Sequence, residues 1–159
     1  MFLPESVKLT EVGLRDGLQS VAKPISSKIK LNATQQLVDA GLKQIQVTSF
    51  VHPDWVPQMA DAEAVCAGLP EAEDVVFSGL VLNAKGVERA AAAGLKRVEA
   101  SISTSDTHSR KNANMSLDEA TVHLKKMVTL AHDSGIEARG GLQSVWGCVY
   151  DGDPSDERI

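Results

Sequence analysis

The chain has 159 residues, and its 16 Lys and Arg against 21 Asp and Glu leave a formal charge of -5, a balance that argues against nucleic acid as a partner. No stretch approaches the ~18 apolar residues of a membrane span, and the first residues lack the basic and apolar segments of a signal peptide. Hydrophobic residues make up 43% but aromatics only 4%, so the core is built from Val, Leu, Ile and Ala, which suits parallel strands covered by alanine-rich helices.

The elements alternate along the chain. Val7 to Leu14 is a strand candidate. Ser26-Ser27 can cap a helix from about Lys28 to Ala40, with Leu31, Leu37 and Val38 on one face and Gly41 as its stop. Gln44 to Ser49, rich in β-branched residues, is a second strand. Pro57 to Gly68 reads as a short helix and Val75 to Val81 as a third strand. Ala84 to Ala93 is helical and ends at Gly94, and Arg97 to Ser103 is the fourth strand. Ser116, with Glu119 three residues on, opens a long helix that runs to Ser134-Gly135, and Glu137 to Gly141 starts a fifth strand.

Three helices end in one device: Ala40-Gly41-Leu42, Ala93-Gly94-Leu95 and Ser134-Gly135-Ile136. In each, glycine takes the left-handed position, an apolar residue folds back and a strand follows. Repetition of helix, glycine and strand is the pattern of successive βα units on a parallel sheet. No linker marks a boundary, so residues 1–159 are expected to form one domain. A doubly wound sheet could be complete at this length, although no Gly-x-Gly-x-x-Gly phosphate turn is present. A (β/α)₈ barrel needs ~250 residues, and this chain supplies little more than half.

Four segments follow strand ends and therefore gather on one rim. Arg15-Asp16-Gly17-Leu18 offers a carboxylate suited to a hard divalent cation beside a guanidinium suited to a developing oxyanion, although the same pair could be an ordinary surface ion pair. Residues 48–59 hold two prolines and Trp55, a stiff loop that shapes a pocket or folds down as a satellite of the core. Residues 103–114 are polar, and residues 143–150 contain Trp146, Cys148 and Tyr150. His123 and His132 do not share a helix face and read as structural; His52 and His108 are loop residues. Cys66 reads as a small core residue without an activating neighbour. With only two distant cysteines, a reducing cytoplasm is the expected setting. The basic groupings from Lys23 to Lys30, at Arg110-Lys111 and at Lys125-Lys126 read as solvated helix faces that could still meet an anionic ligand such as a CoA phosphate.

Taken together, Glu11-Val12-Gly13-Leu14-Arg15-Asp16-Gly17-Leu18-Gln19 and Thr48-Ser49-Phe50-Val51-His52-Pro53-Asp54-Trp55-Val56-Pro57-Gln58-Met59 resemble the hydroxymethylglutaryl-CoA lyases, metal-dependent enzymes on a (β/α)₈ TIM barrel. The resemblance extends in order through Arg110-Lys111-Asn112-Ala113-Asn114, Arg139-Gly140 and Gly147-Cys148-Val149-Tyr150-Asp151-Gly152. It implies the first four βα units and strand five of an incomplete barrel. It also implies retro-Claisen cleavage of an acyl-CoA thioester to acetyl-CoA and acetoacetate. In that reading Asp16 ligates Mg²⁺ or Mn²⁺, Arg15 is catalytic and stabilises the enolate, and Gln19, Arg139 and Tyr150 help to bind substrate.

The chain departs from the pattern of those lyases in three places. Ser20-Val21-Ala22 stands where Asn-Glu-Lys is usual, Gln46 replaces a glutamate, and Val149 replaces a proline. The resemblance also places two histidine metal ligands, an asparagine ligand and a mobile-loop cysteine beyond residue 159, so the chain alone is expected to be inactive. Unpaired edge strands in such a half-barrel invite association, and a homo-oligomer is expected. Two alternatives stand beside the lyase: a non-catalytic half-barrel that pairs with itself or a partner chain, and a relative of the acyl-CoA-condensing synthases.

Overall fold

The computed structural model describes residues 4–159, apart from the side chain of Arg158. Four strands, β1 (Gln44–Ser49), β2 (Val76–Leu80), β3 (Arg97–Ser103) and β4 (Glu137–Gln143), form one sheet in the order β1-β2-β3-β4, and every pairing is parallel. Between them run α1 (Ser27–Asp39), α2 (Ala62–Ala67), α3 (Ala84–Ala92), α4 (Asp106–Ala113) and α5 (Leu117–Asp133), with α1 preceding β1. The expected strand–helix alternation and parallel sheet are therefore present. The glycine stops behave as the sequence suggests: Gly41, Gly94 and Gly135 take φ of +90°, +80° and +70°, a region costly for any residue with a Cβ. The capping box also forms, with the Ser116 and Glu119 side chains each accepting from the other's backbone N–H.

Alternation along the strands divides the sheet into two unlike faces. Ile45, Val47, Val98 and Ala100 turn to the helices. Under α3 and α5 they join Val81, Val87, Ala90, Leu95, Met127, Ala131 and Ile136; under α1 and α2 they join Val65 and Val75. The opposite face is polar. There Ser78 Oγ donates to Glu99 Oε1 at 3.0 Å, Arg97 reaches Glu137 at 2.8 Å and Gln44 at 3.3 Å, and Gln143 Nε2 donates to Ser101 Oγ at 2.9 Å.

Three expectations need correction. Residues 7–14 are not a strand: only Glu11 pairs with the sheet, its N–H donating to the Gln44 carbonyl at 2.9 Å and its carbonyl accepting from Gln46 N–H at 2.8 Å. Val7 and Leu9 are 75% and 70% exposed, so nothing among the described residues covers their apolar side chains, and strand preference without cross-strand packing does not make a strand. The Glu11 carboxylate then accepts from Gly13 N–H and turns the chain into a single wide helical turn, Gly13–Gly17. The expected helix from Pro57 to Gly68 is divided into a 3₁₀ turn, Pro57–Met59, and α2, because no single register runs through Ala60-Asp61. His108, expected in a loop, lies in α4. Ser105 Oγ caps α4 by accepting from His108 N–H at 2.9 Å, the Arg110–Asp106 pair spans one turn, and Asn114 ends the helix at φ +54°.

Phe50 lies over β2 where Gly79 presents no side chain. A Cβ there stands 2.8 Å from Phe50 Cε2 and 3.0 Å from Leu95 Cδ1. Gly79→Ala should therefore destabilise the fold by about 1–3 kcal/mol through overpacking. A urea titration should show a lower midpoint with an unchanged slope; an unaltered midpoint would mean that Phe50 is not seated on β2.

Candidate active site

Arg15 sits in the wide turn that follows the Glu11 bridge. Leu14 beside it is buried in the core against α1 and β1, which anchors the turn and swings the next side chain over the polar face of the sheet. Arg15 is only 17% exposed, and its Nε donates to Gln46 Oε1 on β1 while Nη1 meets Asp16 Oδ1 at 2.7 Å. Asp16 is 60% exposed, so its carboxylate stands at the rim, held on one side by the guanidinium and open on the other. The pair thus faces the polar side of the sheet rather than away from it.

Arg139 approaches the same face from the far edge. Its Nη1 donates to Thr10 Oγ1 at 2.8 Å and lies 3.6 Å from Glu99 Oε1. Thr10 Oγ1 in turn donates to Gln44 Oε1 at 3.1 Å. A residue of β4 therefore touches the segment that precedes β1, and the sheet curls enough to bring its two sides together. Arg15, Gln46, Ser78, Glu99, Arg139, Thr10 and Gln44 make a polar cluster on this face of the sheet, Gln46 lying opposite Ser78 in the β1–β2 register. This arrangement can bind anionic oxygen and stabilise charge that appears on a carbonyl.

Gln19 is half-buried in the turn just after Gly17. Tyr150 lies elsewhere on the rim, half-exposed, with Lys111 Nζ of α4 4.1 Å from its ring centroid; no described contact joins it to the Arg15 group. Near it, a cavity of about 550 Å³ opens past the carboxyl ends of β2, β3 and β4, lined among others by Trp55, Ser101, Lys111, Asn112, His123 and Gln143. His123, read as structural, thus borders this space, while His132 is exposed. The proline-tryptophan loop both lines the cavity through Trp55 and anchors in the core through Met59.

Thr10 and Glu99, two members of the cluster, escaped the sequence reading. For Glu99 a partial signal was present, since Arg97-Val98-Glu99-Ala100-Ser101 alternates polar and apolar residues and so marks a polar strand face, though not the partners on it; nothing comparable marks Thr10. Among the described residues, no three His, Cys, Asp or Glu side chains gather as a metal centre.

The two thiols have opposite environments. Burial, with a smaller push from the Glu63 carboxylate, raises the Cys66 thiol to about 12. Cys148 is held below the usual thiol range, chiefly by its contact with Ser105 Oγ at 3.1 Å and then by the Tyr150 backbone; Ser105 Oγ also donates to Asp151 Oδ2 at 2.5 Å. A lowered thiol pKa means more thiolate at any pH below it, so at pH 7.5 an alkylating reagent should label Cys148 at least ~10-fold faster than Cys66. Ser105→Ala should slow labelling at Cys148 and leave Cys66 unlabelled in the folded chain. Peptide mass mapping reads both, and equal labelling of the two cysteines would contradict these environments.

A family model described as HMGL-like matches residues 6–150. The chain is 38% identical over 157 residues to hydroxymethylglutaryl-CoA lyase, mitochondrial, of Macaca fascicularis, covering 99% of this chain and 48% of that protein. It is 38% identical over 159 residues to the 3-hydroxy-3-isohexenylglutaryl-CoA/hydroxy-methylglutaryl-CoA lyase of Pseudomonas aeruginosa, covering 100% of this chain and 53% of that one. The chain thus spans about half the length of these curated relatives. Among solved structures, the hydroxymethylglutaryl-CoA lyase of Pseudomonas aeruginosa superposes with a TM-score of 0.93 at 38% identity, over 98% of this chain and 52% of that one. The HMG-CoA lyase of Bacillus subtilis gives 0.93 at 37% identity, over 99% and 53%. With the family model matching residues 6–150 and 38% identity running the length of the chain, this protein belongs to the HMGL-like family.

Proposed function

We propose that the chain supplies the thioester-facing part of a carbon–carbon lyase acting on 3-hydroxy-3-methylglutaryl-CoA or a close 3-hydroxyacyl-CoA, within a (β/α)₈ barrel of which it forms the amino-terminal portion. The observation that carries this reading is the placement of Arg15: turned inward onto a polar sheet face, fixed by Gln46, with Asp16 beside it and Arg139 on the same face. In the cleavage, the bond between C2 and C3 of the acyl group breaks. The electron pair moves onto the thioester carbonyl as an enolate that takes a proton to become acetyl-CoA, while the C3 hydroxyl gives up its proton as acetoacetate forms. Arg15 engages the protein through Nε and Nη1, which leaves Nη2 for the thioester oxygen as charge develops there. Arg139, Gln19 and Tyr150 have supporting roles in binding substrate.

A divalent cation, Mg²⁺ or Mn²⁺, belongs to the same reading, with Asp16 as one donor. A hard cation takes about six oxygen or nitrogen ligands, and a single carboxylate at the rim does not supply them. In this proposal the remaining donors come from outside these residues, and the chain alone does not turn over substrate.

One feature favours a second reading, a non-catalytic module completed by a copy of itself. Among the described residues, β4 ends the sheet with no ladder partner on its outer side, and Leu142, Trp146 and Val149 along and beyond it are exposed. No described helix is long and apolar enough to cross a membrane.

Isothermal titration of the chain with 3-hydroxy-3-methylglutaryl-CoA should show binding, and Arg15→Gln should weaken it by about 10-fold or more, the range for loss of a charge-assisted hydrogen bond. Absence of binding overturns the lyase reading and leaves the self-associating module, which sedimentation resolves as a dimer. Acetyl-CoA and acetoacetate formed by the pure chain with Mg²⁺ or Mn²⁺ overturn the need for outside donors.

A further inference from the structure

Lys30 was expected on a solvated helix face, yet its side chain is 1% exposed. An ammonium loses its hydration on burial and stays charged only where hydrogen-bonding partners replace the water. Its partners come from another element. Nζ donates to Asp61 Oδ1 at 2.5 Å and to the backbone carbonyl of Gln58 at 2.6 Å. The second oxygen of Asp61 accepts from Ser27 Oγ at 2.7 Å, so the amino end of α1 is joined to the residues that close the proline-tryptophan loop.

The connection continues through Gln58. Its Nε2 donates to the Val21 carbonyl at 2.7 Å, in the segment that follows Arg15, Asp16 and Gln19. Met59, next in sequence, is buried with its sulfur 3.9 Å from Thr48 Oγ1 of β1. Two rim segments that share no ladder hydrogen bond are thereby held at one separation, and the buried cation sits at the junction.

We propose that Lys30 is a positioning residue: by fixing Gln58 it holds residues 51–59 against residues 18–25 and so sets the shape of the rim beside Arg15. Its bearing on catalysis rests on the lyase reading, whereas the linkage itself does not. A purely stabilising ion pair acts on the whole fold and can be replaced by apolar residues at little cost. A positioning pair acts on particular segments.

Hydrogen exchange of the full 159-residue chain, read by mass spectrometry segment by segment, separates the two. Lys30→Met should accelerate exchange at least 10-fold in residues 18–25 and 51–59 and leave β1, β2 and β3 unchanged. Uniform acceleration of all segments, or none at the rim, overturns the proposal. Should Lys30→Met not fold, Gln58→Ala decides, because it leaves the Lys30–Asp61 pair in place and removes only the bridge to Val21. It should accelerate residues 18–25, and unchanged exchange there overturns the proposal. Where both variants fold, Lys30→Met added to Gln58→Ala should give no further acceleration in residues 18–25, since the two act through one link; additive effects overturn it. Failure of the thioester to bind leaves these outcomes untouched and bears only on the lyase reading.

Discussion

The division of one parallel sheet into an apolar and a polar face is the constraint on which the rest of the molecule depends. Parallel sheets ordinarily bury both faces under apolar side chains. Here Ile45, Val47, Val98 and Ala100 satisfy that rule toward the helices, and the alternate residues break it. Gln44, Gln46, Ser78, Arg97, Glu99 and Arg139 find hydrogen-bond partners on other strands or on residues 10–15 instead of an apolar cover. Unpaired polar groups in a crowded interior are costly, so this face is stable only where its side chains answer one another or face solvent and ligand. Arg15 is drawn inward because Gln46 offers it an acceptor, and Arg139 joins the cluster because the sheet's curl brings Thr10 within reach.

Gln46 matters beyond its hydrogen bond. A carboxylate at this position would meet the Arg15 guanidinium as a full counter-charge, whereas the amide holds the guanidinium in place without neutralising it. Among the described residues, Asp16 is then the carboxylate in direct contact with Arg15. The guanidinium is therefore held by an amide on one side and a carboxylate on the other, and Asp16 stands exposed at the rim.

The rim itself is assembled from contacts at several depths. Met59 and Phe50 enter the core, Gln58 reaches across to Val21, and Trp55 remains at the surface beside a cavity bordered by α4 and α5. α4 is short and poor in strong helix formers, and it stands because Ser105 caps it, Asp106 pairs with Arg110, and Asp106 Oδ1 accepts from Leu117 N–H at 2.9 Å. Those contacts keep Lys111 and Asn112 at the cavity wall.

Residue order alone determined the helices that end in glycine, the capping box at Ser116, four of the five expected strands and the parallel pairing they imply, because each rests on interactions within a few residues or on a periodic apolar face. It also singled out Arg15, Asp16, Gln19, Arg139 and Tyr150 through resemblance, and the fold shows Arg15, Asp16 and Arg139 on one polar face. Only the tertiary structure decided that residues 7–14 touch the sheet through Glu11 alone, that Lys30 is buried, and that Thr10 and Glu99 belong with the arginines. Those outcomes depend on partners 30 to 130 positions away, such as Asp61 for Lys30 and Thr10 for Arg139. Local propensity and periodicity carry no information about which distant side chain will arrive to cover an apolar residue or satisfy a charge.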